Sequence, residues 1–135
     1  MIIIKLLDQL CLCNGISGDE GNVRNLIINE IKDCADNIKT DNLGNLIVFK
    51  KGKKSAKSKL MVSAHMDEVG LMVTDITSDG YLKFDEVGGI DRRVLPGKRV
   101  CVGKNGLNGV IGVKPIHLTN GDEKTAVPKM NDMYI

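Results

Sequence analysis

At about residue 69 the texture of this chain changes, and that change limits what it can fold into. Before it, apolar residues recur at helical spacing, and one compact apolar run, Leu60-Met61-Val62-Ser63-Ala64, closes the segment. After it, helical periodicity disappears and short strand-like runs alternate with Gly and Asp turns. A chain patterned this way reads as two parts, residues 1–68 as the start of an α/β layer and residues 69–135 as a β-rich unit. No internal repeat is present.

In the first part, residues 2–13 read as a helix with Ile3, Leu6, Leu7 and Leu10 on one side, expected to pack on the core. Asn14-Gly15-Ile16-Ser17-Gly18 breaks it. Ser17 and Glu20 have capping-box spacing, so a second helix is expected over about residues 19–33, with Val23, Leu26, Ile27 and Ile31 as its apolar stripe. The turn-forming cluster Asp41-Asn42-Leu43-Gly44-Asn45 between two β-type runs predicts a hairpin of residues 38–40 and 46–49. Leu60 to Ala64 reads as a buried strand. In the second part, residues 71–73, 81–84, 99–102 and 109–113 are strand candidates, with turns at 78–80 and 104–106. Together they read as a small antiparallel barrel or curled sheet.

Composition excludes several classes. Nineteen Lys and Arg against seventeen Asp and Glu leave a net charge of +2, which gives no general attraction to nucleic acid. With no Trp, two Tyr and two Phe, platforms for stacking bases or sugars are scarce. The Lys-rich residues 50–59 carry no aromatic and read as a solvated connection between strands. No apolar run approaches the roughly 18 residues of a membrane span, and the opening Met1-Ile2-Ile3-Ile4-Lys5-Leu6-Leu7 lacks the flanks of a signal peptide. Cys11, Cys13, Cys34 and Cys101 follow no zinc-ribbon or redox spacing, which fits reduced, partly buried thiols of a cytoplasmic protein.

The chemistry concentrates where the apolar run ends, in His65-Met66-Asp67-Glu68-Val69-Gly70. Open α/β sheets place their sites at the carboxyl ends of strands. On an extended segment His65 and Asp67 point to the same side, so an imidazole and a carboxylate can cooperate, the ring as a ligand and the carboxylate as its holder. Glu68 points the other way and reads as structural or interfacial. Taken alone, His-x-Asp is a common coincidence of cores and surfaces.

More of the chain speaks than this pair. Ser63-Ala64-His65-Met66-Asp67-Glu68-Val69-Gly70-Leu71-Met72-Val73 resembles the signature of the glutamyl aminopeptidase/endoglucanase-M family, the tetrahedral aminopeptidases, which are dinuclear metallopeptidases. Gly15-Ile16-Ser17-Gly18-Asp19-Glu20 resembles the family's Gly-x-Ser-Gly-x-Glu segment, and Asp41 to Leu46 its Asp-x-x-Gly-Asn turn. Gly88-Gly89-Ile90-Asp91, Gly109-Val110-Ile111-Gly112 and Pro115-Ile116-His117 follow in the family's order.

The resemblance implies the start of a zinc-aminopeptidase-like α/β sandwich, then a small antiparallel β-barrel-like insertion domain, left incomplete. It implies metal-dependent removal of amino-terminal residues from short peptides, with two divalent ions, zinc or cobalt, in each complete subunit. His65 would be a metal ligand and Asp67 the catalytic-site carboxylate holding its ring, so that Asp67→Asn would act by misorienting the ring. The β-rich part would build a homo-oligomer, with Gly88, Gly89, Gly109 and Gly112 as turn and packing positions. His117 would either approach a site or cap a loop.

The family's other ligands, its bridging carboxylate and its general-base glutamate lie after the insertion domain. Asp75, Asp79, Asp85, Glu86, Asp91, Asp122 and Glu123 fit turns and faces of the insertion better than those roles. A catalytic zinc normally takes three protein ligands, so the 135 residues are expected to be truncated and inactive alone. Two other readings remain: a non-catalytic assembly module that pairs with full-length subunits, and a glycan hydrolase, which would need two carboxylates flanking a sugar cleft.

Overall fold

The computed structural model describes residues 2–54, 58–118 and 126–135, and divides the chain into two units, Met1–Glu68 and Val69–Ile135. Asp122, Glu123 and residues 55–57 of the Lys-rich stretch lie outside the described residues.

The first unit holds helices α1 (Ile2–Cys11) and α2 (Gly21–Ile31) and a hairpin of β1 (Asn37–Thr40) with β2 (Leu46–Phe49). The register Asn37↔Phe49 to Thr40↔Leu46 closes on the loop that the turn residues announce. Asp41 builds that loop: its carboxylate accepts from the Leu43 and Asn45 amides at 3.0 and 2.9 Å and from the Asn45 side chain at 2.9 Å. These bonds, led by the Asn45 side chain, hold the Asp41 carboxyl below its ordinary pKa. Gly44 supplies the left-handed φ of 87° that the turn requires. Its carbonyl accepts from Arg24 Nη1 at 2.8 Å, which ties the loop to α2.

Two expectations for this unit, and one that spans both units, need correction. The α1 stripe is not covered, for Ile3 and Leu7 stand exposed and Leu6 and Leu10 are only half-buried. Val23 on α2 is the one hydrophobe buried there among the described residues. Leu60 to Ala64 forms no strand; it runs irregular and unpaired, with Leu60, Met61 and Val62 at 91%, 87% and 86% exposure. A strand apolar on both faces needs flanking strands and a covering layer, and no described strand pairs with it. The thiols are also more open than expected: Cys11, Cys34 and Cys101 are exposed and Cys13 is intermediate.

The second unit is built from local antiparallel pairs. β3 (Gly70–Ile76) pairs with β4 (Leu82–Val87), β5 (Arg99–Val102) with β6 (Leu107–Val110), and β7 (Gly112–Val113) with β8 (Met133–Tyr134). The run expected as one strand over residues 109–113 is broken at Ile111, whose N–H and C=O bond instead to Lys98 O and Gly97 N at 2.9 and 2.8 Å. That detour drives Ile111 inward to 1% exposure. It joins Phe84, Leu95, Met130 and Met133 in a core flanked by Leu71, Ile90, Val100, Val113 and Ile135. Among the described residues the pairs remain separate two-stranded ladders, not a closed barrel. Gly112 allows the Tyr134 ring to approach, since a Cβ there would sit 2.7 Å from Cε2.

Candidate active site

Ser17, His65 and Asp67 come together in the first unit, on segments that the backbone clasps to one another. Ile16 and Glu68 form a parallel β-bridge, in which the Glu68 amide donates to Gly15 O at 2.8 Å. The Gly15 amide donates back to Glu68 Oε1 at 3.4 Å. Glu68 thus takes a structural part within the chain, one of the two roles that its direction left open. Gly15 also lets Val23 of α2 come close, because a Cβ at that position would meet Val23 Cγ2 at 2.5 Å.

Asp67 divides its carboxylate between two neighbours. Oδ2 accepts from Ser17 Oγ at 2.9 Å, and Oδ1 lies 3.2 Å from His65 Nδ1. The backbone carbonyl of Asp67 lies closer still to that nitrogen, at 2.9 Å. Both groups facing Nδ1 are acceptors, so Nδ1 carries the proton, and in the neutral ring Nε2 keeps the lone pair. The Asp67 carboxyl is held below its ordinary pKa, first by the Ser17 hydroxyl, against a smaller desolvation effect, then by its own backbone and by His65. It stays ionised at neutral pH.

These contacts refine the expected roles. The ring of His65 is oriented by the Asp67 carbonyl as well as by its side chain. Ser17 does not cap α2: the N-cap is Glu20, without a side-chain cap bond, and Glu20 Oε1 turns back to the Gly18 amide at 2.6 Å. The capping-box spacing was misleading because the hydroxyl has a charged acceptor 50 residues away in sequence. A capping role was the local reading of Ser17; its place in the Gly-x-Ser-Gly-x-Glu segment was the available signal of something more.

His65 and Asp67 face an open groove of about 630 Å³, whose walls include Glu20, Asp41, Leu46 and Val62. Among the described residues no three His, Cys, Asp or Glu side chains converge as a metal-ligand set. The donor chemistry fits one metal ligand, an imidazole with Nε2 available and Nδ1 held, rather than a whole coordination sphere. His117 lies in a 3-10 turn, Ile116–Leu118, of the second unit and is exposed. The described acids expected in turns and on faces are there: Asp75 and Asp85 accept from the amides that follow them, Glu86 pairs with Arg92, and Asp91 accepts from Arg93.

Comparison with known proteins adds to this geometry. Residues 44–135 match the M42 glutamyl aminopeptidase family. A lysyl aminopeptidase of Pyrococcus furiosus is 39% identical over 121 residues, covering 87% of this chain and 34% of its own length. The crystal structure of a TET aminopeptidase from the archaeon Thaumarchaeota archaeon SCGC AB-539-E09 superposes with a TM-score of 0.88 at 32% identity, over 97% of this chain and 37% of that one. The Pyrococcus horikoshii TET1 peptidase, which can assemble into a tetrahedron or a large octahedral shell, gives a TM-score of 0.80 at 44% identity, over 97% and 39%. The chain thus spans a little over a third of the length of these relatives.

Proposed function

Because the chain belongs to the M42 glutamyl aminopeptidase family, we propose that it forms part of a metal-dependent aminopeptidase that removes amino-terminal residues from short peptides. In this reading His65 is a metal ligand through Nε2, and Asp67 holds the ring in orientation. The observation that carries it is the pair of acceptors, Asp67 O at 2.9 Å and Oδ1 at 3.2 Å, both on His65 Nδ1. The ring is exposed to the groove, so these two contacts, not packing, set its orientation, as a metal-binding imidazole requires.

Two divalent ions, zinc or cobalt, would supply a water acidified to near neutrality and a polarised scissile carbonyl. This chain's share is to fix one ligand: Asp67 keeps the Nδ1 proton in place, and the Gly15–Glu68 clasp joins its segment to the one before α2. The groove beside His65 gives the peptide's first residues room. The second unit is the proposed surface for a homo-oligomer, in line with the shells formed by the P. horikoshii relative. No helix among the described residues is long and apolar enough to cross a membrane. The proposed location is the cytoplasm, on the ground that the four cysteines follow no zinc-ribbon or redox spacing.

A second reading, an assembly module that pairs with full-length subunits, draws on the independent core of the second unit. Intact mass from the native source separates the two. A mass well above 14.7 kDa supports the enzyme, and a mass equal to it supports the module. For the enzyme reading, His65→Ala at natural length should lose metal and hydrolysis of aminoacyl-p-nitroanilides together. A fully metallated, fully active variant would overturn it. The 135-residue polypeptide, with one such ligand, should show no turnover.

A further inference from the structure

We infer that Ser17 is a positioning residue for His65, acting through Asp67. The inference rests on the reading of His65 as a metal ligand, and it assigns a task to a hydroxyl that this reading leaves unused.

The geometry sets the task. The terminal torsion of an aspartate is broad, so one hydrogen bond on one oxygen leaves the carboxylate plane able to swing. Asp67 is held from both sides, by Ser17 Oγ on Oδ2 at 2.9 Å and by the His65 ring on Oδ1 at 3.2 Å. Removing Ser17 leaves the carboxylate with its own backbone and the ring contact that it is supposed to enforce. Ser17 lies three residues before Glu20, the N-cap of α2, so its hydroxyl takes no part in capping that helix. The Ile16–Glu68 bridge, flanked by the two Gly15–Glu68 hydrogen bonds, sets the distance between the two segments and carries the hydroxyl to the carboxylate. Asp67 therefore does not order the ring unaided; it transmits an order imposed by the segment before α2.

The test is a Co²⁺ titration of the protein at its natural length, followed by visible absorption, with the His65 ring nitrogens read by NMR in the metal-depleted protein. Ser17→Ala should weaken Co²⁺ binding about tenfold, the lower end of what outer partners of metal ligands contribute, and should mix the two ring tautomers. Ser17→Thr, which keeps the hydroxyl, should stay within about threefold. Ser17→Val, matched in shape to Ser17→Thr, gives the same comparison if the alanine variant does not fold. In an Asp67→Asn background the Ser17→Ala change should add less than about twofold, because both substitutions cut one path. An equal loss in both backgrounds, or unchanged binding in Ser17→Ala and Ser17→Val alongside lost binding in His65→Ala, would overturn the inference and leave the enzyme reading standing. Unchanged binding in His65→Ala would overturn that reading itself.

Discussion

In the unit beyond residue 69, Met133 and Ile111 lie at 0% and 1% exposure; in the unit before it, Leu60, Met61 and Val62 lie at 91%, 87% and 86%. The residues are equally apolar. What differs is where their partners lie. β3 meets β4, and β5 meets β6, across turns of a few residues, so each ladder forms from neighbouring sequence. Leu60 to Val62 would need strands on either side and a layer above, and the described part of the unit offers two helices and one hairpin. Hydrophobicity marks a segment that is to be buried; only a partner buries it.

The sharpest way to break this comparison is a pair of truncations. Met133→Ala should destabilise the second unit by about 2–5 kcal/mol through the cavity it leaves. Leu60→Ala in the same 135-residue chain should change stability by less than about 0.5 kcal/mol, as at an exposed site. Urea unfolding measures both, and similar effects at the two sites would dissolve the contrast.

Close backbone approaches give the next largest effects, one in each unit. Gly112→Ala would drive a methyl group into the Tyr134 ring, and Gly15→Ala would drive one into Val23. Each should cost about 1–3 kcal/mol by overpacking. The Gly15 variant alone should also disturb the His65 ring signals, since Gly15 anchors the clasp to Glu68. A thermal melt and a ring ¹⁵N spectrum of each variant check this.

The smallest effects are electrostatic. Arg93 grips Asp91 with Nε and Nη2 and with its amide, and holds that carboxyl down at about 2 from an ordinary 3.8. A carboxylate whose folded pKa is depressed stabilises the fold above its unfolded value and loses that contribution as pH falls through the folded value. For Asp91 the loss should therefore run from about pH 4 down to about pH 2. Arg93→Ala should return Asp91 toward 3.8, read from its ¹³C carboxyl shift. An Asp91 that titrates alike with and without Arg93 would show that the pair is not formed in solution.

Much of the second unit was legible because its signals are local. β5 matches the expected residues 99–102, and the turns at 78–80 and 104–106 fall where Gly and Asp place them. Ile111 was not legible: it sits inside an unbroken apolar run, and only the bonds to Gly97 and Lys98 reveal the break. In the first unit, the Asp41 turn and the α2 stripe could be read from spacing. The fate of Leu60 to Val62 could not, because pairing of that kind depends on distant sequence. The site divides in the same way. His65 and Asp67 are two residues apart and could be seen together, whereas Ser17 reaches Asp67 across 50 residues and offered a competing local role as a helix cap.

The account stands on the Nδ1 proton of His65, because the contacts from Asp67 O and Oδ1 at 2.9 and 3.2 Å dictate it and leave Nε2 for a ligand. A two-bond ¹H–¹⁵N spectrum of the protein, recorded where the ring is neutral, measures it directly. The predicted result is the Nδ1–H tautomer, with Nε2 at the shift of an unprotonated nitrogen. A ring protonated at Nε2 would contradict the account, since Nδ1 would then face two acceptors without a proton and the nitrogen assigned to the metal would be blocked.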